Sequence, residues 1–213
     1  MVRIVEIRQE RGHQVCLALD GAEDVRIDRR VWEESSYGIG SSLSEEELEE
    51  LEARSRKARA KEKALFLLSR RDYSKKELTD RLSREKGRRC PERDEAALET
   101  AERMAELGLV NDQAYAKRLA REYQLRRLYP RRRAVQELCA RGIDRETAEQ
   151  AVEETGAADA DLALALLRKK YYNKLHDADD RRRTAAALAR QGFSYEDIRH
   201  AFSRAEADLP EEV

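Results

Sequence analysis

From about residue 58 onward, apolar side chains recur at i, i+3 and i+4, the spacing that lines one face of a helix. The pattern also repeats. Residues 131–152 align with residues 181–202 at an offset of 50: Arg131, Arg132 and Arg133 fall on Arg181, Arg182 and Arg183, Leu138 on Leu188, Gly142 on Gly192, and Ile143 on Phe193. Asp144 then falls on Ser194, Ala148 on Ile198, Ala151 on Ala201, and Val152 on Phe202. This register predicts a helix, a glycine free to take the left-handed C-terminal cap, an apolar residue behind it, and an Asp or Ser N-cap opening the next helix.

A looser copy precedes these two. Tyr73 falls on Tyr129, Lys75 and Lys76 on Arg131 and Arg132, and Leu82 on Leu138 at an offset of 56. Ala101, Met104 and Ala105 then fall on Ala148, Ala151 and Val152 at an offset of 47, so a longer loop is expected around residues 87–94. One more helix heads each copy, over residues 61–70, 112–128 and 161–172. The body therefore reads as three tandem three-helix repeats, residues 58–110, 111–155 and 156–208, in an elongated curved array. Units this small bury little alone, so neighbour packing is expected to supply part of the stability.

Residues 1–43 follow a different period. Val15, Leu17 and Leu19 alternate with polar or small residues, as do Val25 and Ile27, while Gly12 and Gly21 suit tight turns. A β-hairpin or short-strand extension is expected, and a ribbon of that size must lean on something. Ser44-x-x-Glu47 is a capping box that opens an acidic connecting helix, residues 44–57, running on past Lys57. The expected fold class is mainly α, with a small β extension in front.

Composition narrows the reading. Charged residues are 41% of the chain and aromatics 6%, too few bulky groups for one large core, while a regularly spaced 40% apolar fraction excludes disorder. Net charge is −1, yet residues 1–56 carry −6, residues 57–110 +4, residues 111–155 +2 and residues 156–213 −1. That is a polyampholyte, for which nucleic-acid binding is expected to be weak and salt-sensitive. No apolar run approaches the roughly 18 residues of a membrane span. The N-terminus lacks the apolar core of a secretory signal, and Cys16, Cys90 and Cys139 show no CxxC spacing. Free thiols and a cytoplasmic location, with no membrane partner, are expected.

Enzyme signatures are missing. GxxxxGK[ST], GxSxG, HExxH and GxGxxG do not occur, and His13, His176 and His200 lie far apart. Adjacent Asp179 and Asp180 suit an N-cap better than acid–base work. No catalytic residue, metal or cofactor is expected.

Candidate contacts come from the basic clusters. Arg131, Arg132, Arg133 and Arg181, Arg182, Arg183 are placed at the openings of two second helices, with Lys75 and Lys76 in the matching place of the first copy. Cations at a helix N-terminus oppose the macrodipole, so their recurrence there points to a phosphate or acidic partner. The competing reading is a solvated surface with local pairs such as Asp180–Arg183. Arg126 and Arg127 extend the cluster, and Lys169, Lys170 and Lys174 flank Tyr171 and Tyr172. Basic groups interleaved with aromatics can clasp a single strand, with Tyr172 as the outward candidate and Tyr171 in the core.

Several strings, in order, carry a family resemblance. They are ALFLLSRRDYSKKELTDRL (residues 64–82), GLVNDQAYAKR (108–118), PRRRAVQELCARGID (130–144), LLRKKYYNKL (166–175) and RRRTAAALARQGFSYEDIRHAF (181–202). Over about residues 58–206 the chain resembles the RecX family, regulators of the RecA recombinase. Tyr129 departs from the pattern, standing where members often have Gly, and is expected to enlarge its loop. The resemblance implies a non-catalytic monomer that binds RecA and the filament RecA forms on single-stranded DNA. It further implies lowered ATP hydrolysis, strand exchange and repressor cleavage. The alternative is a general nucleic-acid-binding helical repeat protein, which would bind duplex tightly without RecA.

Overall fold

The computed structural model describes residues 1–10, 12–85, 88–171 and 177–207. The chain forms two units, Met1–Val110 and Asn111–Val213. It is mainly helical, with a small antiparallel sheet near the N-terminus.

In the first unit, strands β1 (Val2–Glu10), β2 (Gln14–Asp20) and β3 (Val25–Asp28) precede a one-turn helix α1 (Arg29–Glu33) and a two-residue strand β4 (Ser42–Leu43). The sheet order is β3-β2-β1-β4, four strands where a hairpin or short-strand extension is expected. Gly12 and Gly21 hold φ of 78° and 77° at the two hairpin turns, values a side chain disfavours. The support this ribbon needs is helix α2 (Glu45–Leu68): Leu51 joins Ile4, Leu17, Ile27 and Leu43 in one core, and the buried Ser55 hydroxyl accepts from Asp28 N at 2.8 Å. Ser44 and Glu47 form the expected capping box.

Helix α2 is one continuous element, so the division expected between residues 57 and 58 falls inside it. Its far end holds Ala64 against Tyr73, Leu78, Ala101 and Met104, joining α3 (Lys75–Leu82) and α4 (Asp94–Glu106). Lys63 of α2 donates to Arg81 O and Arg84 O, both at 2.7 Å, satisfying one carbonyl in the last turn of α3 and one just beyond it. The extra loop of the first copy carries a pair of two-residue strands, β5 (Arg84–Glu85) and β6 (Arg88–Arg89).

The second unit holds two repeats. One contains α5 (Asp112–Arg121), which continues as a π-helical turn over Glu122–Arg126, then α6 (Arg131–Ala140) and α7 (Arg145–Glu153). The next contains α8 (Asp159–Lys170), α9 (Ala178–Gln191) and α10 (Tyr195–Ala207). Their fifty-residue register is visible in individual hydrogen bonds. Gly142 N donates to Cys139 O at 2.9 Å and Ile143 N to Leu138 O at 3.2 Å; Gly192 N donates to Ala189 O at 2.9 Å and Phe193 N to Leu188 O at 3.3 Å. Both are Schellman caps, and their glycines have φ of 84° and 103°. Asp144 and Ser194 then cap the next helices by accepting from Thr147 N and Asp197 N. Leu138 and Leu188 sit fully buried in their respective cores.

These two repeats also share contacts. Leu128, at φ 56°, packs into the core of the third repeat. A side chain at Gly192 would meet the ring of Pro130, 3.5 Å from the position of its Cβ. Asp159 Oδ1 accepts from Arg131 N at 2.8 Å, capping α6 from α8 where Pro130 offers no side-chain oxygen.

Candidate partner and nucleic-acid interface

The basic pairs share a division of labour in all three repeats. Each first cation is tied to the third helix of its own repeat: Lys75 to Glu102 at 3.1 Å, Arg131 to Glu153, and Arg181 to Glu206. The second cation faces water. Among the described residues Lys76 and Arg132 are exposed with no ion pair, and Arg182 is 87% exposed with Asp179 at 3.9 Å. The third members are spent locally. Arg133 lies 3.8 Å from the ring centroid of Tyr129 and 3.8 Å from Glu137, while Arg183 is 3.4 Å from Asp180.

Their helix positions differ from expectation in one repeat. Lys75 follows the Ser74 cap, and Arg131 is the first residue of α6, whose first turn holds no acidic side chain. Arg181, however, is the fourth residue of α9. That helix starts at Ala178, is capped by Asp177, and carries Asp179 and Asp180 in its first turn. Cations one turn in are already offset by three carboxylates, so the macrodipole argument holds for α6 and not for α9. Asp177, not Asp179 or Asp180, supplies the cap, accepting from both of their N–H groups.

Arg126 and Arg127 part company at the π-helical turn. Arg127 donates twice to Glu122 Oε1, at 2.6 and 3.1 Å, and that pairing, with help from Tyr129, holds its pKa above the usual arginine value. Arg126 stays exposed beside the exposed Leu125. Together with Arg118 and Arg121 they line a shallow groove that sequence reading did not anticipate. Tyr129 turns its ring inward. It stacks on Tyr123 with centroids 5.8 Å apart and planes 23° apart, sealing the edge of the second-repeat core. Arg141 also escaped notice: its Nε donates to Tyr123 Oη at 2.8 Å and Nη1 to Tyr115 Oη at 3.1 Å. Burial disfavours that guanidinium charge, and the two tyrosine oxygens more than restore it.

Lys169 and Lys170 are exposed in the last turn of α8, where positive charge complements the helix dipole, giving them an ordinary structural reason to be there. Tyr171 packs on the third-repeat core as expected. Tyr172, Lys174 and His176 lie outside the described residues. Among the described residues no His, Cys, Asp and Glu cluster could hold a metal, and no helix is long and apolar enough to cross a membrane.

In the second and third repeats the outward cation borders a groove between the second and third helices. Arg132, Val135, Cys139, Arg145 and Glu149 line one; Arg182, Ala185, Tyr195, Arg199 and Phe202 line the other. What the geometry defines is a protein of three-helix repeats, each presenting an exposed cation on its second helix. Family models agree in detail: residues 111–152 match the second three-helix domain of RecX and residues 158–202 match the third. A regulatory protein RecX of Chromohalobacter salexigens is 34% identical over 148 residues, covering 70% of this chain and 93% of that one. One from Clostridioides difficile is 28% identical over 204 residues, covering 94% and 93%. The chain belongs to the RecX family. A crystal structure of a regulatory protein RecX shares the fold with a TM-score of 0.62 at 19% identity, covering 98% of this chain and all of the other. That of RecX from Lactobacillus salivarius gives 0.59 at 21% identity, over 71% and 97%.

Proposed function

We propose that this protein binds RecA and the filament RecA forms on single-stranded DNA, and thereby inhibits its recombinase, ATPase and coprotease activities. The reading makes it a cytoplasmic regulator of DNA repair and the SOS response, and not an enzyme. The observation that carries it is family membership, since the relatives are named regulatory proteins. The arrangement of charge supports it. A filament on DNA offers protein carboxylates and phosphates side by side, and each repeat carries one cation engaged internally and one left over. A near-neutral chain would gain little from DNA alone at physiological salt, so protein contacts must supply most of the affinity.

Titrating the purified protein into RecA, ATP and single-stranded DNA tests this. Steady-state ATP hydrolysis should fall at amounts below one regulator per RecA. Unchanged hydrolysis with the regulator in excess would defeat the proposal.

A further inference from the structure

The grooves of the second and third repeats are built on the same frame, and they differ at two positions that decide what they can hold. Arg145 and Glu149, four residues apart on α7, form an ion pair with Arg145 Nε donating to Glu149 Oε1 at 2.7 Å. At the offset of 50 their places are taken by Tyr195 and Arg199 on α10. In the second-repeat groove these two charges are thus paired with each other. Its counterpart opens an aromatic ring, 82% exposed, beside a guanidinium with no acidic partner among the described residues. Arg182 faces the same groove from α9. Of the nearby carboxylates, Asp197 accepts from Ser194 as part of the helix cap, Glu206 pairs with Arg181, and Asp179 stands 3.9 Å from Arg182, with both of those side chains mostly exposed.

We infer that the groove between α9 and α10 is a single-stranded nucleic-acid contact, in which a base stacks on Tyr195 and the flanking phosphates lie against Arg182 and Arg199. The chemistry favours a strand over an acidic peptide. A tyrosine that a protein partner would bury needs apolar cover, whereas its open face beside two cations matches the alternation of base and phosphate. An exposed ring selects for an unpaired strand, because in duplex the bases are stacked on one another and offer no free face. The inference draws on the proposed function for the source of the strand, the DNA inside a RecA filament, and on the groove alone for its chemistry.

The test uses the full chain, a fluorescein-labelled oligothymidylate, and anisotropy at low and physiological salt. Losing one stacked base weakens binding by about 5- to 150-fold, so Tyr195→Ala should lower oligothymidylate affinity within that range, while Tyr195→Phe, which keeps the ring, should retain it. The paired change Tyr195→Arg with Arg199→Glu copies the second-repeat groove and should bind as weakly as Tyr195→Ala, with helix content by circular dichroism unchanged. Wild-type affinity in both of these variants overturns the inference. So does a variant that keeps oligothymidylate binding and loses only binding of polyglutamate. RecA ATPase is measured in parallel: failure of the wild-type protein to inhibit counts against the proposed function, and only the oligothymidylate result decides the groove.

Discussion

Leu138→Ala should destabilise the protein by about 2–5 kcal/mol, the range for emptying a buried leucine site. Leu138 is fully buried, and so are the alanines that share its core, Ala116, Ala134, Ala148 and Ala151. Alanines have no side-chain freedom with which to fill a void. Leu119 is held on α5, and Tyr123 is held by its stacking on Tyr129 and its bond from Arg141. The site therefore cannot collapse, which places the loss toward the upper part of the range. Leu188→Ala is the same change fifty residues on, in a core with larger neighbours such as Leu164, Leu167 and Ile198, and should cost somewhat less. Urea denaturation followed by circular dichroism measures both. A loss under about 1 kcal/mol for Leu138→Ala would mean that the repeat repacks, against the rigid alanine frame.

The second large effect concerns the outward cations. Changing Lys76, Arg132 and Arg182 together to Glu should raise the concentration needed for half-inhibition of RecA ATPase by on the order of 10- to 100-fold, because three attractive contacts become repulsive ones. Changing their neighbours Lys75, Arg131 and Arg181 to Ala should act differently. Those side chains bridge the second and third helices, so their removal should show first as a lower melting temperature. Inhibition that survives the charge reversal would reduce the recurring pairs to solvated surface. The contrast between inner and outer cations is what separates a binding surface from a helix-to-helix tie.

Much of the fold was legible because caps and periodicity are local signals. Gly142 and Gly192, with Asp144 and Ser194 behind them, specify where each second helix stops and each third helix starts. The short elements were not legible: α1 and β4 are too brief for any period to show, α1 resting on the local Asp28 cap and β4 on its long-range pairing to β1. The start of α9 was misjudged because Asp177, Asp179 and Asp180 offer competing caps, and sequence alone does not rank them. The π-helical turn depends on a long-range partnership. Buried Gln124 reaches Thr155, which in turn donates to Val152 O at 2.8 Å, and no pattern within residues 122–126 announces it. At the interface, the basic triplets were visible as composition, but their sorting into tied and outward members needed the third helices in place. Tyr195 and Arg199 were within reach of the same alignment, at the positions where the two copies disagree.

Amide hydrogen exchange of the full chain, alone and with RecA assembled on single-stranded DNA, tests the central claim most directly. Slowed exchange around the outward cations of α3, α6 and α9, with protection extending into α10, is the predicted result. Unchanged exchange throughout the three repeats would contradict a filament regulator that binds through this repeated face.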